Sequence, residues 1–111
     1  MAVVNETVRF EVYLVNLDPT VGSEIKKTRP AVIISPNEMN RHLNTVVVAP
    51  MTTTKKEYPT RVNLKFRRKN GQVVLDQIRT IDKVRLVKKI GALSEKTSRR
   101  INEVLVDMFE W

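Results

Sequence analysis

Short apolar runs, some alternating with other residues and some continuous, follow one another until Ser94, after which the period changes to that of a helix. Val8, Phe10, Val12 and Leu14 alternate with Arg9, Glu11, Tyr13 and Val15, which predicts a first strand with one buried face. Ala31–Ile34 and Thr45–Ala49 read as second and third strands. A single helical turn is expected at Pro36–Asn40, and Pro30 biases Arg29 toward extended backbone. Val62, Leu64 and Phe66 alternate with Arg61, Asn63 and Lys65, so the fourth strand has one apolar face and one basic face. Asn70-Gly71 then reads as a two-residue hairpin turn before Gln72–Leu75, because both residues favour positive φ. Ile78–Asp82 and Val84–Leu93 continue in short β-like pieces. Ser94 can cap a helix in which Ile101, Val104, Leu105, Met108 and Phe109 form one stripe against the sheet. Many short strands followed by one amphipathic helix predict a mainly β chain, a small curled sheet or half-open barrel closed by a C-terminal α-helix.

The chain of 111 residues is one domain's worth, 1–111. Its charge is uneven: residues 1–55 hold 6 basic and 5 acidic side chains, residues 56–111 hold 14 and 7, for a total of +8. That excess points to a polyanion or an acidic protein partner. Cysteine is absent, so disulfides and thiolate metal sites are excluded. The N-terminus lacks the pattern of a secretory signal, and no run approaches the ~20 apolar residues that span a bilayer. A cytoplasmic protein without a membrane segment is expected.

The chemistry concentrates in two segments, Arg29-Pro30-Ala31-Val32-Ile33-Ile34-Ser35-Pro36 and Val46-Val47-Val48-Ala49-Pro50-Met51-Thr52-Thr53-Thr54. Were these strands neighbours, a guanidinium and several hydroxyls would face one groove, an arrangement suited to phosphate. Arg29 could stabilise charge building on phosphorus, and Thr52 could bind an oxygen or help move a proton. An Arg as true acid or base is hard to defend, because its pKa lies above ~12 in nearly any setting. His42, the only histidine, sits in a polar stretch and excludes a two-histidine ribonuclease. Asp18, Glu24 and Lys26 resemble a carboxylate metal-nuclease pattern, but on one Gly-containing loop instead of rigid strands. Tyr58, beside Lys55 and Lys56, could stack on a base or pack on the rim of the core. Arg67-Arg68-Lys69 reads as a solvated hairpin tip able to attract phosphates.

Several motifs agree in order and spacing with one family. Leu17-Asp18-Pro19-Thr20-Val21-Gly22-Ser23-Glu24, Thr28-Arg29-Pro30-Ala31-Val32, Ala49-Pro50-Met51-Thr52-Thr53 and Leu75-Asp76-Gln77-Ile78-Arg79-Thr80-Ile81-Asp82 together resemble the motif series of MazF/PemK toxin endoribonucleases. The likeness runs from Val12 onward and loosens after Leu86. It implies the CcdB/PemK-like fold, a small SH3-like barrel. It also implies cleavage of single-stranded mRNA at a short sequence, with neither metal nor cofactor, leaving 2′,3′-cyclic phosphate and 5′-hydroxyl ends. By the same resemblance Arg29 and Thr52 are the catalytic pair. Ser23, Glu24, Thr53, Asp76, Gln77 and Arg79 then lie along the RNA path, with Tyr58 added from its setting. The implied assembly is a homodimer blocked by an acidic segment of a cognate antitoxin. Two alternatives stay open: a CcdB-like toxin that binds gyrase without catalysis, for which the terminal Trp111 speaks, and a plain basic nucleic-acid-binding module.

Overall fold

The structure, a computed structural model, describes residues 6–17 and 27–111. Among the described residues, seven strands, two helices and two 3-10 turns follow one another as β1 (Glu11–Asn16), β2 (Thr28–Ile33), α1 (Asn37–His42), β3 (Thr45–Thr52), β4 (Arg61–Phe66), β5 (Lys69–Val74), a 3-10 turn (Leu75–Gln77), β6 (Arg79–Asp82), a 3-10 turn (Lys83–Arg85), β7 (Leu86–Ala92) and α2 (Glu95–Phe109). The strands form one antiparallel sheet in the order β4-β5-β3-β2-β1-β7, and β6 pairs with β3 off that path. Strand β3 therefore forks. On one edge it keeps β2. On the other, Thr45–Val48 pair with β6, and Met51 and Thr52 pair with β5. Pro50 sits in the gap between the two partners, where its missing N–H removes no ladder bond.

This fork curls the sheet, so that its central strands β1, β2 and β3 bury side chains on both faces. One core gathers Val12, Val32, Ile34, Ala49, Val62, Val73 and Leu75 against Ile101 and Val104 of α2. The other gathers Tyr13, Val15, Ala31, Ile33, Val46, Val48 and Ile81. The expected half-open barrel with a C-terminal helix is present, but β1 departs from its expected single buried face. Val12 faces one core while Tyr13 and Val15 face the other, because a curled sheet closes over strands that a flat one would leave half wet. Phe10 precedes β1 with φ 71°, which puts it outside the strand.

Helix α2 starts where expected, with Ser94 Oγ accepting from the Thr97 N–H at 3.2 Å. Ile101 and Val104 are buried, whereas Phe109 is 69% exposed. At 3.6 residues per turn Phe109 lies about 80° round the axis from Ile101, at the margin of the stripe, and it is the last helical residue.

The β4–β5 turn also differs from expectation. Phe66 pairs with Lys69 and Leu64 with Gly71, so the turn residues are Arg67 and Arg68, at φ 51° and 68°. A turn at Asn70-Gly71 would set Val73 opposite Arg68; the observed register sets it opposite Val62, in the core. Gly71 serves another purpose. A Cβ there would lie 2.7 Å from the carbonyl oxygen of Thr52, so its absence lets β3 approach β5.

The β2–β3 connection is held by a buried polar clasp. Ser35 Oγ donates to Asn40 Oδ1 (2.5 Å), Asn40 Nδ2 donates to the Ser35 carbonyl (2.9 Å), and the Val47 N–H donates to Ser35 Oγ (3.0 Å). Asn40 is fully buried with these needs met, which fixes how α1 returns the chain to β3. Among the described residues no helix is long and apolar enough to cross a membrane.

Candidate functional site

The pairing of β2 with β3 sets Ala31 opposite Pro50, Val32 opposite Ala49 and Ile33 opposite Val48. Carried two residues further, that register places Arg29 opposite Thr52. The hydrogen-bonded ladder itself stops at Ala31, next to Pro30, which has no N–H to contribute. Arg29 thus belongs to a strand, pinned on its other side by pairing with Val15, instead of hanging from the preceding loop.

Arg29 and Thr52 line one cleft of about 330 Å3. Pro30 and Met51 flank them, Leu64 and Phe66 give an apolar wall, and Thr53, Lys69 and Asn70 complete the polar rim. No carboxylate lines it among the described residues, so its charge comes from Arg29 and Lys69. The guanidinium of Arg29 is exposed and makes no hydrogen bond or ion pair among the described residues. Arg61, by contrast, is tied to Asp76. The Thr54 N–H donates to Thr52 Oγ1 at 3.1 Å, which occupies one lone pair and leaves the hydroxyl proton for a ligand oxygen. A guanidinium beside an oriented hydroxyl can bind a tetrahedral oxyanion at two of its corners.

The loop after Thr52 is tethered by a residue that sequence reasoning missed. Gln72 pairs with Thr52 across the ladder and is only 3% exposed. Its Oε1 accepts from the Lys56 N–H (3.1 Å) and its Nε2 donates to the Lys56 carbonyl (2.7 Å), so the side chain treats Lys56 as a neighbouring strand would. The available signal was a polar residue heading the apolar run Val73-Val74-Leu75.

The remaining expected site residues lie elsewhere. Asp76 accepts from Arg61 Nε (3.0 Å), Arg61 Nη2 (3.3 Å) and Thr60 Oγ1 (2.9 Å). The hydrogen bonds from Arg61 foremost, then that from Thr60, hold its carboxyl below the ordinary value of 3.8, and the same partnership raises Arg61. The Arg61 guanidinium also lies over the ring of half-exposed Tyr58, 5.1 Å from its centre. Tyr58, Thr60, Arg61 and Asp76 thereby close the far end of the loop that begins at Thr53. Gln77 is exposed in its 3-10 turn, and Arg79 is exposed on β6 opposite Val48. The structure brings Thr53 into the cleft with Arg29 and Thr52, whereas Tyr58, Asp76, Gln77 and Arg79 do not line it. Ser23 and Glu24, with the whole Asp18–Lys26 turn, lie outside the described residues. His42 is exposed at the end of α1.

Comparison with known proteins bears on the fold and the family. The chain is 38% identical over 103 residues to an endoribonuclease MazF of Staphylococcus saprophyticus, covering 87% of this chain and 86% of the relative. A solved endoribonuclease in complex with its cognate antitoxin, from a mycobacterial species, superposes with a TM-score of 0.80 at 30% identity, covering 95% of this chain and 98% of that one. The Mycobacterium tuberculosis toxin MazF-mt6 gives a TM-score of 0.76 at 26% identity over 91% and 99% of the two chains. The family profile described as PemK-like, MazF-like toxin of type II toxin-antitoxin systems matches residues 8–109, and the chain belongs to that family.

Proposed function

We propose that this chain is an endoribonuclease toxin that cuts single-stranded mRNA at a short sequence without a metal ion. The observation that carries this reading is Arg29 placed opposite Thr52 by the extended β2–β3 register, in an open cleft where, among the described residues, neither a carboxylate nor a partner for the guanidinium is found. RNA brings its own nucleophile, so the protein must align the 2′-hydroxyl with the leaving 5′-oxygen and stabilise charge on phosphorus. The 2′-oxygen bonds to phosphorus as it loses its proton. The bond from phosphorus to the 5′-oxygen breaks, and that oxygen takes up a proton. The products are a 2′,3′-cyclic phosphate and a 5′-hydroxyl. Through this passage Arg29 donates to the non-bridging oxygens, whose negative charge is greatest in the transition state. Thr52 offers its hydroxyl proton to an oxygen of the same phosphate. Lys69 adds attraction for the backbone on either side.

Metal independence comes with the family resemblance, and RNA's own 2′-hydroxyl removes the need for a metal-activated water. A net charge of +8 suits two partners in the same cleft: RNA, and the acidic segment of a cognate antitoxin. The family resemblance adds a homodimer with RNA across its interface. The reading is tested by incubating purified protein with mixed-sequence RNA in excess EDTA and mapping the ends. Recurring cut sites with cyclic phosphate and 5′-hydroxyl ends are expected. Intact RNA from folded, antitoxin-free protein would overturn it.

A further inference from the structure

Beside the cleft of Arg29 and Thr52 lies a second, of about 430 Å3, which shares Thr53, Leu64, Asn70 and Gly71 with the first and adds Lys55, Asn63 and Gln72. Its volume falls in the range that holds small organic ligands. Its polar lining is mostly amide instead of guanidinium, a chemistry that suits the edge of a base better than a phosphate.

The amides in this cleft have a fixed sense. A backbone N–H can only donate and a backbone carbonyl can only accept, so Lys56 dictates which end of the Gln72 amide is oxygen and which is nitrogen. The Gln72 nitrogen then spends its second hydrogen on Asn63 Oδ1, at 2.8 Å. Asn63 therefore accepts with its oxygen, while its amide nitrogen makes no hydrogen bond among the described residues. Asn63 is exposed and lines the cleft, so what it offers there is a donor. Through two side chains, the backbone at Lys56 decides the polarity of this corner.

We infer that the second cleft receives an unstacked base next to the scissile phosphate, and that Asn63 reads it as a keto base, uracil or guanine. Facing the exocyclic 4- or 6-position of the base, a donor pairs with O4 of uracil or O6 of guanine and meets the amino group that cytosine or adenine carries there donor to donor. Lys55, on the same wall, lies where the adjoining phosphate would pass. The inference rests on the ribonuclease reading above and extends it to the residue that sets base preference.

The test is cleavage of an RNA library with randomised positions by the wild type, Asn63→Asp and Asn63→Ala, with the cut ends sequenced. In Asn63→Asp one carboxylate oxygen still accepts from Gln72, and the other turns the donor into an acceptor. The wild type should prefer uracil or guanine at one position beside the cut. Asn63→Asp should shift that position toward cytosine or adenine by roughly tenfold, the scale of one hydrogen bond, and Asn63→Ala should relax it. Added negative charge slows cutting at every sequence alike, so the preference is the informative readout. Identical preferences in all three proteins overturn the inference alone. Loss of cutting in both folded variants also overturns it, because Asn63 would then serve cleavage itself. A folded wild type that leaves the library intact refutes the ribonuclease reading, and this inference with it.

Discussion

Replacing Arg67-Arg68 by Asn-Gly should make the protein more stable, although it removes two arginine side chains from an ordered hairpin. Both arginines turn the chain with positive φ, 51° and 68°, a conformation that costs an ordinary L-residue about 1–2 kcal/mol. Asparagine tolerates it better, and glycine adopts it without strain. Against that relief stand roughly 0.5–1 kcal/mol of extra chain entropy for glycine and about 0.5 kcal/mol for the Arg67 guanidinium over the Phe66 ring. That ring contact is long, 5.9 Å to the centroid, and it sits at an exposed residue. The balance is about 1 kcal/mol in favour of the variant, or roughly 4 °C in Tm for a domain of this size. Thermal unfolding followed by circular dichroism reads it. A Tm unchanged or lowered would refute the argument that the hairpin turns at Arg67-Arg68 under strain imposed by the Val62–Val73 register.

Three other outcomes follow from the same geometry. Gly71→Ala sets a methyl 2.7 Å from the Thr52 carbonyl and should force β3 from β5, with a loss of about 1–3 kcal/mol in denaturant unfolding and a larger proportional loss of cleavage than of stability. Asp76 has a folded pKa held below 3.8 by Arg61, so its stabilisation is complete above that value and disappears as pH falls through the folded value. Asp76→Asn should therefore be less stable than wild type at neutral pH, the two converging in acid; parallel curves in Tm against pH would contradict this. The Arg67-Arg68 replacement also removes two cations near the cleft, and the slope of log RNA affinity against log salt should become shallower by about 1.4 if both contact phosphates, in filter binding.

How much of this was legible in the sequence depends on how far apart the deciding residues lie. Alternation located β4, and the Ser94 cap with the Ile101 and Val104 stripe located α2, because each signal is local. Asn70-Gly71 misled because a local turn preference was outweighed by a register in which Val62 meets Val73 and Gly71 clears the Thr52 carbonyl. For the candidate site, Arg29 and Thr52 were readable as a pair, and the β2–β3 register sets them opposite each other. Gln72 was not readable as a tether: its partners Lys56 and Asn63 are 16 and 9 residues away, and nothing in composition marks a side chain that imitates a strand. The family resemblance puts Asp76 along the RNA path, and its bonds to Arg61 and Thr60, 15 and 16 residues away, had no local signal to mark them.

If the guanidinium of Arg29 stabilises the transition state, single-turnover cleavage of a defined RNA in excess EDTA should separate the wild type from Arg29→Lys and Arg29→Ala. The side chain is exposed at the end of β2, so both variants should keep the wild-type Tm. Loss of the preorganised donors should lower the rate in Arg29→Ala by about 10²–10³, with Arg29→Lys between, because lysine keeps the charge and loses the fork. Wild-type rates in a folded Arg29→Ala protein would contradict the claim that this cleft stabilises the transition state.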